Sequence, residues 1–333
     1  MNRKRIKINM TDFTKIKVAL APLAGVSDYA FRKICADHKM KYAVCEMVSA
    51  KAMHYNDKKT AELAYIRPSE PDIAVQLFGS EPDIIAEAAK KLAENSYAHN
   101  RGSKLPVAID INMGCPVQKI VSNGEGSALM KSPELVGRIV RATVDAQPLP
   151  VTVKIRAGWD ENSINAVQIA RIAEENGASM ICVHGRTREE MYISNVRLDI
   201  IKAVKESVKI PVFANGGIMC ADDAMKMFKE TGADGIMIAR GAMGNPWIFE
   251  EIDAALNGTV YRKPDRDEIV STALSHIRLM IKEKGEKTGV AESRKHIACY
   301  TKGMPGSASL RESINHAESF DEIEAIMRKL MNK

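Results

Sequence analysis

The chain lacks the cysteine spacing of disulfide-stapled or zinc-binding folds. Its six cysteines, Cys35, Cys45, Cys115, Cys182, Cys220 and Cys299, never fall in a CxxC pair, so neither a disulfide framework nor a metal site is expected. Long apolar runs are missing too. The opening MNRKRIKINM is basic and leads into Thr11 and Asp12 without a hydrophobic segment, and no later stretch approaches the length that spans a bilayer. A reducing cytoplasm is the expected compartment, with no membrane attachment. Charge is not extreme: a net +6 over 333 residues is compatible with a polyanionic partner without demanding one. No GxGxxG turn follows the first predicted strand, where residues 22–25 read Pro-Leu-Ala-Gly, and this removes the main signal for an open dinucleotide-binding sheet.

What the sequence does contain is an alternation repeated eight times. Short apolar segments at Val18–Pro22, Ala43–Val48, Ile73–Phe78, Val107–Ile111, Val151–Ile155, Met180–Val183, Pro211–Ala214 and Gly235–Ala239 are each followed by a stretch of helical character. Eight strands alternating with helices imply parallel crossovers, and eight is the number that closes a (β/α)8 TIM barrel. The chain is long enough for such a domain plus a smaller one. After Trp247 and Phe249 the rhythm stops: Ile269, Leu274, Ile277 and Ile281 recur near helical spacing, Lys284-Gly285 breaks the run, and Met304-Pro305-Gly306 reads as a turn. The expected organisation is an α/β barrel over residues 1–255 and a small all-helical domain over residues 256–333.

A barrel places its functional side chains where strands end. The predicted strands deliver Pro22, Leu23 and Ala24, then Glu46, Gln76, Asn112 and Cys115, Lys154 and Arg156, His184 and Arg186, Asn215-Gly216-Gly217, and Ala239-Arg240-Gly241. Glycine-rich loops after strands 7 and 8 let backbone N–H groups approach a phosphate. Lys154 interrupts Val151-Thr152-Val153-Lys154-Ile155. Alternation turns it the same way as Thr152, into the barrel if the flanking valines face the helices, where an ammonium needs a counter-charge or an electron-rich ligand. Cys115 sits in a Gly-Cys-Pro turn that lifts a thiol out of the sheet. Taken alone it could equally be a small buried hydrophobe, as Gln76 and His184 could be satisfied core groups.

With these residues in place the sequence closely resembles the tRNA-dihydrouridine synthases, bacterial type, nearest their B-like subgroup. The matching segments are LAPLAGVSDYAFR, EMVSAKA, VQLFGSEP, DINMGCPVQKIV, GSALM, VTVKIRAGW, HGRTR, ANGGI, GNPWIF and the C-terminal RKHIACY, running from about Leu20 to the end. The resemblance implies a flavoenzyme that binds FMN, takes electrons from NADPH and reduces uridine to 5,6-dihydrouridine in the D-loop of tRNA. It implies that Pro22, Leu23 and Ala24 lie against the isoalloxazine, that Gln76 and Lys154 bond its polar edge and that His184 lies close by. Asn215, Gly216, Gly217, Ala239 and Arg240 would hold the phosphate, Asn112 and Arg186 the uracil. Hydride would pass from flavin N5 to C6, and Cys115, a thiol mostly protonated at neutral pH, would protonate C5 from the other side. Departures from the family pattern stand out: Asn215-Gly216-Gly217 where an acidic or small polar third residue is frequent, Ala239-Arg240 where Gly-Arg is usual, and a loop EEMYISNVRL (189–198) without the family's small-residue pattern.

The same resemblance gives a meaning to the charges of the helical segment. Arg278, Lys282, Lys284, Lys287, Arg294, Lys295 and Lys302 stand against Glu283, Glu286 and Glu292, with His276 and His296 nearby. By themselves they describe a solvated helix face. With the resemblance they become a phosphate-contacting surface for tRNA, Arg294 and Lys295 foremost. The nearest alternative enzyme is a flavin-dependent dihydropyrimidine or dihydroorotate dehydrogenase acting on a free base.

Overall fold

The computed structural model describes residues 11–97, 102–193 and 195–331. The basic opening segment therefore lies outside the described residues, as does Ser194 within the 189–198 loop. Among the described residues nine strands form one closed, wholly parallel sheet: β1 (Val18–Leu20), β2 (Tyr42–Val44), β3 (Val48–Ser49), β4 (Asp72–Phe78), β5 (Ala108–Met113), β6 (Val151–Arg156), β7 (Met180–His184), β8 (Val212–Asn215) and β9 (Gly235–Ile238). β1 pairs with both β2 and β9, and β2 pairs with β4, so the order closes on itself. The count is eight staves because β2 and β3 are two pieces of one, both lying against β4.

That division corrects the expected continuous strand Ala43–Val48. Val44 is opposite Ala74 and Val48 opposite Leu77, so the β2–β3 stave carries one residue more than its partner over the same span, as in a bulge. The interrupted stretch, Cys45 to Met47, lets the Glu46 carboxylate leave the ladder and accept the backbone N–H of Gly25 in the loop after β1. A sheet position has become a tie between two rim loops.

Strand alternation sorts the side chains into two layers. Val151, Val153 and Ile155 of β6 face the helices, in the large apolar layer between sheet and helical ring, so Thr152 and Lys154 face inward. The barrel interior is built from small or slender groups, among them Ala19, Ala74, Ala108, Cys182 and Met237, with Tyr42 and Phe213 as its bulk. Phe13, from the short 3-10 turn Phe13–Lys15, closes the N-terminal end edge-on to Tyr42 at 5.9 Å between ring centroids. Polar residues therefore concentrate toward the other end. The helices start on local signals: Asp28 caps Tyr29–Asp37 by accepting the Phe31 N–H at 2.9 Å, and Pro82 and Pro133 open Pro82–Ala93 and Pro133–Ala146.

Beyond the barrel, helices Arg266–Lys284, Glu286–Tyr300, Ser307–His316 and Phe320–Met327 bury an apolar core of their own, which includes Val270, Ile277, Ile297, Ile314 and Met327. Asp265 and Glu268 form a capping box at the start, and Gly285 (φ +77°) provides the break. Trp247, from the barrel's last loop, belongs to this second core. Several contacts tie the helices to the rim: Lys284 pairs with Asp28 at 2.5 Å and with Glu292 at 2.7 Å, Arg67 pairs with Glu283, and the Lys295 ammonium donates to the Gly25 carbonyl. Among the described residues no helix is long and apolar enough to cross a membrane, and no cluster of three or more His, Cys, Asp or Glu is placed to hold a metal.

Candidate active site

A cavity of about 330 Å³ opens at the C-terminal ends of the strands. Every strand-end residue assigned a role from the sequence borders it: Pro22, Leu23, Ala24, Gln76, Asn112, Cys115, Lys154, His184, Arg186, Asn215, Gly216, Gly217, Ala239 and Arg240. Arg294 and Lys295 do not. The Arg294 guanidinium donates to the Ala317 carbonyl at 3.2 Å at the end of helix Ser307–His316, and Lys295 is turned to Gly25. His276 and His296 are fully buried in the seam against the ring of Phe31 rather than on a charged face.

The register explains how the polar side chains meet. Asn112 is opposite Lys154, and one inward-facing level nearer the rim Arg156 is opposite His184 and His184 opposite Asn215, so the polar side chains occupy two successive levels at this end of the barrel. Lys154 Nζ donates to Asn215 Oδ1 at 2.9 Å, and Asn215 Nδ2 donates to the Met237 carbonyl at 2.7 Å. The Asn215 amide thus serves to hold the lysine. Beyond it, Gly216 (φ +114°) and Gly217 (φ +72°) take conformations that side chains resist, and a Cβ on Gly216 would stand 2.7 Å from His184 Cδ2. A Cβ on Gly241 would meet the Ile218 carbonyl oxygen at 2.3 Å. Bare backbone is therefore obligatory at this corner of the cavity, next to Arg240.

Among the described residues four cations, Lys154, Arg156, Arg186 and Arg240, line the cavity, and no carboxylate does. Burial first, and then the four cations, hold the His184 imidazole well below its usual pKa, so it is neutral at pH 7. Its Nε2 lies 3.3 Å from Arg186 Nη1. A guanidinium can only donate, so Nε2 accepts and the ring proton sits on Nδ1. Burial also raises the Cys115 thiol, against smaller opposing effects of the Val117 N–H, Arg156 and Lys154. The site contains a protonated thiol and an uncharged imidazole within a positive field.

Two loops close over this floor, and one residue ties them. Arg156 Nε donates to the Gly114 carbonyl at 2.7 Å, while Nη1 donates to the carbonyls of Thr187 at 2.8 Å and Met191 at 3.3 Å. The loop carrying Cys115 and the loop after β7 are thus held together by one guanidinium. The sequence marked Arg156 only as a strand-end residue. Its signal was there, because two residues after Lys154 it falls on the same inward face. Tyr192 was missed altogether. It borders the cavity from the unusual loop, with Arg240 4.5 Å and Arg156 5.9 Å from its ring centroid, and nothing in a loop's periodicity predicts such stacking.

The family profile described as dihydrouridine synthase (Dus) matches residues 19–333. The chain belongs to the dihydrouridine synthase family. It is 42% identical over 312 residues to a "Probable tRNA-dihydrouridine synthase" of Rickettsia conorii, covering 93% of this chain and 91% of that protein. Two proteins called "tRNA-dihydrouridine synthase B" are similarly close. The one from Xanthomonas axonopodis pv. citri is 41% identical over 314 residues and the one from Pseudomonas aeruginosa 38% over 315, each match covering 94% of this chain and 92% of the relative. For a member of the dihydrouridine synthase family, the cavity at the strand ends is the candidate active site, since barrel enzymes build their sites on that face.

Proposed function

We propose that the protein is a tRNA-dihydrouridine synthase that binds FMN, is reduced by NADPH and converts D-loop uridine to 5,6-dihydrouridine. The observation that carries this reading is the cavity's charge: four cations and no carboxylate around a protonated thiol at the barrel rim. Such a site favours an anionic, electron-rich ligand. The residues fit a phosphorylated flavin. Gly216, Gly217 and Gly241 leave backbone bare beside Arg240 for the phosphate, with Ala239 and Asn215 completing the corner. Pro22, Leu23 and Ala24 offer an apolar edge for the ring system, and Gln76, Lys154 and neutral His184 offer polar groups to it.

Bound reduced flavin supplies the hydride for C6 of the base. The chain's own residues supply the rest. Cys115 keeps its proton at neutral pH and delivers it to C5, where negative charge accumulates. Asn112 and Arg186 hold the uracil, and Arg156 fixes the Cys115 loop against the loop after β7 so that the thiol and base meet at near-attack distance. Residues 1–255 form the catalytic unit and 256–333 the RNA-binding unit. Lys282, Lys287 and Lys302 are exposed on the helical segment and contact tRNA phosphates, while Arg294 and Lys295, expected from the sequence to do the same, are bonded to the carbonyls of Ala317 and Gly25 and hold the helical surface beside the rim. All six cysteines are free, which supports a reducing, cytoplasmic setting.

The test is to incubate the purified protein with FMN, NADPH and unmodified tRNA and analyse the nucleosides by mass spectrometry. Dihydrouridine in the D-loop is the expected product. Turnover of free uracil or dihydroorotate with unchanged tRNA would replace the reading with that of a free-base dehydrogenase.

A further inference from the structure

The Asp110 carboxylate is fully buried inside the barrel, two residues before Asn112 on β5. An ionised carboxylate is costly there unless each oxygen is bonded. Oδ2 accepts from Gln76 Nε2 at 2.7 Å and Oδ1 from the Thr152 hydroxyl; burial raises the carboxyl's pKa, and these two bonds and then the Lys154 charge oppose the rise and favour the carboxylate. The bonds continue upward. Gln76 Oε1 accepts from Asn112 Nδ2 at 2.8 Å, and Asn112 Oδ1 accepts the backbone N–H groups of Gly114 at 3.1 Å and Cys115 at 2.9 Å.

The direction of this chain is chemically forced. A carboxylate only accepts, so the Gln76 group facing it is the NH2, and the Gln76 oxygen must face Asn112. Backbone N–H groups only donate, so at the rim Asn112 presents its oxygen to them and its NH2 to Gln76. An acceptor at the floor and donors at the rim permit one polarity for the two amides between them. Gln76 and Asn112 both border the cavity. The wall therefore offers the remaining lone pair of an amide oxygen beside an amide N–H, the complement of the N–H and C=O of an imide edge. Both the flavin pyrimidine ring and uracil carry such an edge.

We propose that Asp110 is a positioning residue: from the barrel floor it sets the amide polarity of Gln76 and Asn112, and through Asn112 it holds the loop that carries Cys115. The inference rests on the reading of Cys115 and Asn112 as the groups that act on the base.

The test uses isosteric variants. Asp110→Asn keeps the polarity, because the Thr152 hydroxyl can turn to accept from the new NH2, and it serves as the conservative rescue. Thr152→Val keeps the carboxylate. The double variant Asp110→Asn/Thr152→Val leaves the new NH2 either unbonded or turned on Gln76, which inverts or breaks the chain of bonds. Two measurements are made on each: single-turnover reduction of tRNA uridine by the flavin-loaded protein, and mass-mapped iodoacetamide alkylation of Cys115 in flavin-free protein, with the partly exposed Cys220 as internal control. Each single substitution should stay within about threefold of the parent, and the double should lose about ten- to a hundredfold in uridine reduction, the worth of one or two buried hydrogen bonds. Alkylation of Cys115 should accelerate in the double variant alone, with Cys220 unchanged. Should the double fail to fold, Gln76→Met, which cuts the chain in its middle, should accelerate Cys115 alkylation in the same way. Additive effects of the two substitutions, or unaltered Cys115 alkylation in the severed variants, would overturn the proposal. A parent that makes no dihydrouridine would sink the functional reading, while the alkylation arm would still decide the role of Asp110.

Discussion

Acid should loosen the seam between barrel and helical segment, and His276 shows why. It is fully buried, its Nε2 has no hydrogen-bond partner among the described residues, and its Nδ1 lies 3.4 Å from the Tyr300 hydroxyl. His296 stands 4.6 Å away between ring centroids, also fully buried, with neither ring nitrogen bonded, and both rings pack on Phe31 of the barrel. Burial pushes the His276 pKa down to about 4, with Asp28 opposing and Lys284 and Lys295 reinforcing. His296 is depressed for the same first reason and by its neighbour His276. In the unfolded chain an imidazole titrates near 6.5, so the unfolded state binds more protons throughout the interval below that value. Stability is therefore complete above about pH 6.5 and is lost as pH falls toward the folded pKa. For His276 alone the loss is about 2 kcal/mol at pH 5, levelling near 3 kcal/mol below pH 4. Urea unfolding at pH 8 and pH 5, followed by far-UV circular dichroism, measures it. His276→Leu, close in volume and unable to titrate, should remove about 2 kcal/mol of the difference between the two pH values, whatever it does to stability at pH 8. A variant with the parent's full pH dependence would refute the assignment.

Other perturbations isolate other parts of the molecule. Cys115→Ala should keep its flavin absorbance and tRNA affinity yet lose about two to four orders of magnitude in uridine reduction, the usual worth of a positioned proton donor; single-turnover kinetics with tRNA checks this. FMN should raise the melting temperature of flavin-free protein more than riboflavin does, and Arg240→Ala should shrink the difference, because the phosphate corner is the part riboflavin leaves empty. Gly244→Ala should destabilise by several kcal/mol in a thermal melt, since at φ +69° its Cβ would stand 2.4 Å from Cys299 C and 2.5 Å from Tyr300 N, both backbone atoms. Affinity for tRNA should fall steeply with added salt, and less steeply once Lys282, Lys287 and Lys302 are changed to alanine, as a filter-binding titration would show.

Residues whose position follows from period and order were legible in the sequence. Alternation along Val151–Ile155 placed Lys154 inside the barrel, and eight repeats placed the strand ends on one rim. Groups whose position depends on a distant partner were not. Glu46 was read as part of a continuous strand, yet it leaves the ladder to meet Gly25, a residue of another loop. Phe13 plugs the barrel through a contact with Tyr42 that no local pattern announces. Lys284, Arg294 and Lys295 were read as one basic face, but Lys284 is engaged by Asp28 and Glu292, and the other two bond backbone carbonyls. A count of charges cannot separate cations that dock one part of a protein on another from those left to solvent. Asp110 had a signal that was passed over: a carboxylate inside the apolar run from Val107 to Ile111, where a charge needs a reason.

The protonation states around the cavity share a single cause. Burial disfavours any charged form, which keeps the proton on Cys115 and keeps a second proton off His184. The surrounding cations act in opposite senses on these two groups. They favour a thiolate and disfavour an imidazolium, so Lys154 and Arg156 work against burial at Cys115 and with it at His184. At the thiol burial prevails, and the acid is retained. Its conjugate base is nevertheless favoured by two cations once the proton has left, as the proposed role of proton donor would require. The same positive field that would attract an anionic ligand also acts on the Cys115 thiol, so substitutions of Lys154 or Arg156 are expected to change ligand affinity and the thiol's acidity together.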